Sequence, residues 1–296
     1  MDQSKRTETQ RTPPVVGAAM PIRAIPTHIG WLRTNQRDLE IQDASVTAIY
    51  DDKWRHLDRI PGLKDTLPHT DWQSLAEEAQ RVLAGYTGRI SIHGPFTGLP
   101  LLTTDRQVRN VVRGRLDQAL TFAKALGATQ MVLHSPWTFL GGPFIPYSTP
   151  EECDVVIGLV SELLEPVIER AEAIGCVLVI EGVFDKNPKP LVDLVRALGS
   201  AHVRASLDTG HAYIQYLQGG PPPDQWIRET SALLAHVHLQ DGDGHVDRHW
   251  APGRGNVNWY AIFKALNELD HHPRLIVESQ DFRTGATWLT DQGYVQ

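Results

Sequence analysis

The 296-residue sequence predicts an α/β fold, specifically a (β/α)8 TIM barrel, on three observations. From about residue 71 onward, short apolar runs alternate with longer amphipathic segments, the pattern of parallel strands joined by crossover helices. Six successive runs stop on a histidine or a carboxylate: His93, His134, Glu181, Asp208, His238 and Glu278. No GxGxxG or Walker pattern follows the first strand, which disfavours an open dinucleotide-binding sheet. In a closed barrel the C-terminal strand ends meet at one mouth, so six reactive side chains would converge there.

The elements follow in order. Residues 1–19, polar and without a continuous apolar signal core, read as a flexible N-terminal arm. Residues 20–296 read as a single catalytic domain, since nothing marks an internal boundary. IRAIPT and DLEIQ read as strands one and two. The stretch between them is too short for a normal helix, so the first βα unit is expected to be truncated. DWQSLAEEAQRVLAGY reads as a helix leading to the strand RISIH, and DRQVRNVVRGRLDQALTFAKALG as a helix leading to TQMVLH. TPEECDVVIGLVSELLEPVIERAEAIG is a third helix, leading to CVLVIE. Thr149 is its candidate N-cap, Glu152 completes a capping box, and Pro166 is expected to bend its middle. The phrases ALG, AIG and ALG end successive helices, with Gly127, Gly175 and Gly199 as left-handed terminators. LAHVH and PRLIVE complete the series.

Composition bounds the function loosely. The hydrophobic fraction of 41% supports a sizeable core, and the formal charge of −7 gives no overall attraction to nucleic-acid phosphates. Cys153 and Cys176 form no disulfide framework, so a reducing cytoplasm is the expected location. No run approaches the roughly 18 apolar residues of a membrane span. The expected partner is a small molecule, with neither membrane nor nucleic acid; a homo-oligomer is compatible with the sequence.

The strand-end residues carry the chemistry. The loops add His211, three after Asp208, and the pair Asp247 and His249, which point the same way if extended. Histidine with carboxylate and no cysteine suits zinc, manganese, cobalt or iron. Nine such groups exceed one ion's coordination sphere, so two or three divalent ions are expected if all converge and one if only a subset does, one to three per chain. A lone strand-end histidine is more often structural. Here, however, Glu181 and Glu278 end apolar runs, where an uncompensated carboxylate is costly. His236 is read as a hydrogen-bonded group one layer below His238, and His245 as a solvated loop residue. Trp137 and Trp250 are candidate pocket walls; Arg254 and the amides of PGRGN are candidate anion contacts.

These residues lie in phrases, namely SIHGPF, MVLHSP, VIEGV, LDTGHA, HLQDGDG, VDRH, GRGN and VES, that together resemble the xylose-isomerase-like TIM barrels, the sugar phosphate isomerase/epimerase superfamily. The resemblance covers roughly residues 85–280. Endonuclease IV shares that superfamily, and its three-metal ligand order is met here by His93, His134, Glu181, Asp208, His211, His238, Asp247, His249 and Glu278. The single-metal epimerases resemble a subset: Glu181, Asp208, His238 and Glu278. The resemblance implies a metal-dependent isomerase or epimerase of a small sugar or sugar phosphate. Glu181 and Glu278 would move a proton through a metal-stabilised enediolate. The alternative it implies is a multinuclear metal-dependent phosphodiesterase.

Overall fold

The eight strands close into one parallel barrel in the order β1-β2-β3-β4-β5-β6-β7-β8. They are β1 (Val16–Met20), β2 (Leu39–Ile41), β3 (Ile90–His93), β4 (Gln130–His134), β5 (Val177–Gly182), β6 (Val203–Asp208), β7 (Leu234–Leu239) and β8 (Arg274–Val277). This computed structural model describes residues 13–45, 49, 71–138 and 150–296. The helices outside the barrel are α1 (Ile25–Arg33), α2 (Trp72–Val82), α3 (Arg106–Leu126), α4 (Pro150–Ala173), α5 (Lys189–Leu198), α6 (Thr209–Leu217), α7 (Pro223–Thr230), α8 (Trp259–Asn267) and α9 (Phe282–Asp291).

The start of the barrel corrects the reading from sequence. The segment read as strand one, IRAIPT, is instead a 3-10 turn at Ile22–Ala24 followed by the first residues of α1, with Pro26 in its opening turn. The first strand is VGAAM, pairing in parallel with both β2 and β8, so the barrel begins inside the stretch expected to be an arm. The first βα unit is therefore not truncated: it carries α1. Residues 1–12 of the expected arm lie outside the described residues. β1 is built of small residues because its neighbours press close. A Cβ on Gly17 would sit 2.2 Å from the carbonyl oxygen of Asp38.

The later elements match expectation. α2 and α3 start on Asp71 and Asp105, whose carboxylates accept N–H bonds from the first turn. Gly127 (φ 67°) and Gly199 (φ 64°) end α3 and α5 in the left-handed region. α4 runs through Pro166 as one helix; its expected cap Thr149 lies outside the described residues. Among the described residues no helix is long and apolar enough to cross a membrane.

The apolar core lies between barrel and helices. Leu178 and Ile180 of β5, Leu207 of β6 and Val237 of β7 point outward to it and are all but inaccessible to solvent. The alternate residues turn into the barrel, and the register fixes their level. His134 pairs with Glu181 and Asp208 with His238, so neighbouring strands deliver their polar ends side by side. One level deeper, Glu40 pairs with Ser91, and Ser206 with His236, a buried polar layer beneath the mouth.

Candidate metal centre

All nine residues singled out from the sequence reach the barrel mouth, where they form three groups, two of which share Glu181. His93, His134 and Glu181 make one; Glu181, Asp208, His238 and Glu278 make a second; His211, Asp247 and His249 make a third. Within each group the facing ligand atoms lie within 4.8 Å of one another, and Glu181 belongs to two of them. The second group is wholly buried, whereas Asp247 and His249 are 45% and 38% exposed, so the third lies nearest to solvent.

The separations suit ligands arranged around a cation. His93 Nε2 is 3.9 Å from Glu181 Oε2, and His211 Nδ1 is 3.6 Å from Glu181 Oε1. Four atoms about 2.1 Å from a common zinc ion would be about 3.4 Å apart. Ring orientation agrees. The Nδ1 of His93 lies 2.9 Å from the Gly94 carbonyl, a bond that it makes as the donor, leaving the Nε2 lone pair facing Glu181. The donor set also contains orphans: Glu181 Oε2 and His211 Nδ1 are buried and have no hydrogen-bond partner. A buried carboxylate oxygen without a donor is costly, and a cation removes the cost. The residues present therefore fit divalent ions.

Charge explains how these groups coexist. Burial works against the Glu181 carboxylate, but His238 and His211 outweigh it and hold its pKa well below the usual range. Burial lifts Asp208 to about 6. His134, buried and beside His93, is pushed down to about 3, so its imidazole is neutral and free to ligate at neutral pH. His249 goes the other way: Asp247 and Glu278 overcome burial and raise it to about 9.

Three supporting residues escaped the sequence reading. Glu40 lies between His236 and His238, accepting from His238 Nε2 at 2.8 Å and lying 3.2 Å from His236 Nε2. With Nε2 so engaged, His238 turns Nδ1 toward Glu181 (3.1 Å) and Glu278 (3.3 Å). The clue was in DLEIQ: if Leu39 and Ile41 face the helices, Glu40 must face the barrel interior. His236 matches its expected role, its Nδ1 2.8 Å from the hydroxyl of Ser206. Gln240, just after β7, hydrogen-bonds to Asp208, Asp247 and His249. Asp241 ties down the loop that follows. Its carboxylate accepts from the N–H groups of Gly242, Gly253 and Val257 and from the indole of Trp259.

That bonding corrects the reading of PGRGN. The amides of Gly253 and Val257 belong to Asp241 and those of Arg254 and Asn256 to loop carbonyls, so these four are already engaged within the turn. The Arg254 guanidinium faces Asp281 at 3.8 Å. Trp137 is fully buried in the core and does not line the mouth; Trp250 is 38% exposed with Arg248 over its ring. Phe96, 39% exposed, stacks on His134 with centroids 4.1 Å apart, an apolar wall that the sequence reading missed.

A closed parallel barrel with histidine–carboxylate groups gathered at the C-terminal strand ends defines the class, a TIM barrel with a candidate metal centre at its mouth. The chain belongs to the xylose isomerase-like TIM barrel family, whose pattern it matches over residues 48–292. It is similar to the D-psicose 3-epimerase of Enterocloster bolteae, at 29% identity over 130 residues, covering 44% of this chain and 35% of that protein. It is also similar to the fructoselysine 3-epimerase of Escherichia coli O157:H7, at 25% identity over 191 residues, 62% of this chain and 63% of the relative. The match thus spans about a third of the first protein and just under two thirds of the second. Among solved structures, the TTHB071 protein of Thermus thermophilus, soaked with ZnCl2, is 26% identical with a TM-score of 0.64. That likeness covers 93% of this chain and 96% of the other.

Proposed function

We propose that the protein is a metal-dependent isomerase or epimerase acting on a small sugar or sugar phosphate. One observation carries this reading. The carboxylates of Glu181 and Glu278 approach the same imidazole nitrogen of His238, at 3.1 and 3.3 Å, in a buried group completed by Asp208. Two carboxylates so placed can flank one carbon of a substrate held between them. Similarity to two sugar 3-epimerases supports the substrate class.

Glu181, Asp208, His238 and Glu278 would hold the principal divalent ion, which supplies electrophilic polarisation of the substrate carbonyl. Glu181, as the carboxylate, accepts the proton from the carbon beside the carbonyl. Glu278 returns a proton to the opposite face for epimerisation. His238, whose Nδ1 faces both glutamates, fixes them about the reacting carbon, and Phe96 offers an apolar edge that excludes water. The histidine-rich, cysteine-free donor set suits zinc, manganese, cobalt or iron.

A second reading is favoured by the two further groups, which the single-ion chemistry does not need. With His93, His134, His211, Asp247 and His249 also filled, the site resembles that of a multinuclear phosphodiesterase of the endonuclease IV kind. Glu181 or Glu278 would then orient the water that attacks phosphorus.

Proton exchange from a panel of ketoses in deuterated water decides between the two readings. Deuterium incorporation at the carbon beside the carbonyl is the expected result, with Glu181→Gln lowering the exchange rate at least ~10³-fold while circular dichroism is unchanged. Phosphodiester cleavage without exchange from any ketose would replace the first reading by the second. Activity retained in Glu181→Gln would refute the site itself.

A further inference from the structure

We infer that Gln240 couples the buried four-residue group to the outer His211–Asp247–His249 group, and so sets whether the outer group holds a cation. The inference rests on the reading of these groups as ion sites. Gln240 itself is 1% exposed and follows β7 directly. Its Nε2 donates to Asp208 Oδ2 at 3.0 Å and to Asp247 Oδ1 at 2.9 Å, while its Oε1 accepts the N–H of His249 at 2.9 Å. One neutral amide therefore joins a buried carboxylate on a barrel strand to two residues of an exposed loop.

The amide is itself held rigidly. Its backbone N–H donates to Thr209 Oγ1 at 3.0 Å, and the same hydroxyl donates to its carbonyl at 2.7 Å. A Cβ on Gly210 would lie 2.6 Å from its side chain, so α6 is shaped to receive it.

What it holds is the part of the outer group with least support of its own. By engaging Asp247 Oδ1, it leaves Oδ2 directed at His211 Nε2 (3.4 Å) and His249 Nε2 (2.9 Å). His249 has φ of 47°, a left-handed conformation unfavourable for a side-chain-bearing residue, and its N–H is fixed by Gln240 Oε1. Only an amide satisfies all three partners, because two are carboxylates that need donors and the third is an N–H that needs an acceptor. Gln240 is thus a positioning residue for the outer cation, with Asp208 as its anchor on the barrel.

Zinc content by elemental analysis and competition titration against a chromophoric chelator test this. Wild-type chain is expected to take up three zinc ions. Gln240→Met, similar in volume but without hydrogen bonds, should retain two and bind the third at least tenfold more weakly. Gln240→Glu keeps the acceptor for His249 but puts a third carboxylate between Asp208 and Asp247, and should lose the third ion outright. In a His249→Ala background, Gln240→Met should change zinc binding no further; a general loosening of the fold would still lower it. Circular dichroism qualifies each variant, with Gln240→Asn standing in for any that fails to fold. Wild type holding a single ion would overturn the three-group reading before any variant is made. Three ions in both wild type and Gln240→Met, with equal affinities, would overturn the role of Gln240 alone.

Discussion

Asp185 shows how one buried carboxyl can make a fold sensitive to pH. It is 1% exposed, accepts the hydroxyl of Ser135 at 2.8 Å and the N–H of Val183 at 3.2 Å, and is lifted by burial from 3.8 to about 7. Between those two values the unfolded chain has released this proton and the folded chain has kept it. Stability therefore falls as pH rises from about 4 to about 7 and levels off above. A displacement of about 3 pH units corresponds to about 4 kcal/mol. Asp185→Asn removes the charge, with its one oxygen facing the Val183 N–H and its NH2 donating to the Ser135 hydroxyl oxygen. It should stabilise the protein by a few kcal/mol at pH 8 and not at all at pH 4, as read from denaturant melts with chelator present. Equal stability at pH 8 would mean that the native carboxyl ionises without cost. Glu40 offers a second test: Glu40→Gln should weaken cation binding at the buried group about 10–100-fold, because the Nε2 proton of His238 loses its charged acceptor. Unchanged zinc affinity would show that His238 is oriented by packing alone.

Among the elements, β1 is the most informative. Gly17→Ala should destabilise the barrel by about 2–3 kcal/mol in thermal melts, because its Cβ would collide with the backbone of Asp38. A neutral substitution would mean that β1 and β2 can separate without loss. The same strand explains where the sequence could be read and where it could not. β5 and β8 announce themselves through VLVIE and LIVE, apolar runs whose terminal carboxylate has no reason to be there except the mouth. VGAAM has no β-branched or aromatic residue after its valine and low strand propensity, while IRAIPT beside it looks strand-like but is claimed by a proline-initiated helix. The nine strand-end and loop side chains were legible because each interrupts an apolar or glycine-rich pattern. Gln240 and Asp241 were not, because a glutamine and an aspartate in a polar loop look the same whether they face water or fasten a site. Only the hydrogen bonds separate those cases.

At the scale of the whole molecule, the mouth gathers carboxylates and imidazoles from β3 to β8 and from the loop after β7, so filling it ties the barrel together. Ions that bind the folded chain and not the unfolded one stabilise it by about 4 kcal/mol at a free concentration 1,000 times Kd. Chelation should thus lower the melting temperature by several degrees and zinc restore it. Glu181→Gln, which touches two groups at once, should abolish most of that increment. A melting temperature indifferent to chelator would argue against resident ions. The Asp241 carboxylate has a different consequence. By gripping the chain at Gly242, Gly253 and Val257, it makes the intervening turn a clasp with both arms riveted to one post. The side chains that the clasp carries besides Asp247 and His249 can be exchanged without moving its rivets. The outer half of the mouth is therefore the portion that selection can retool, giving the same barrel a new substrate while its foundations stay put.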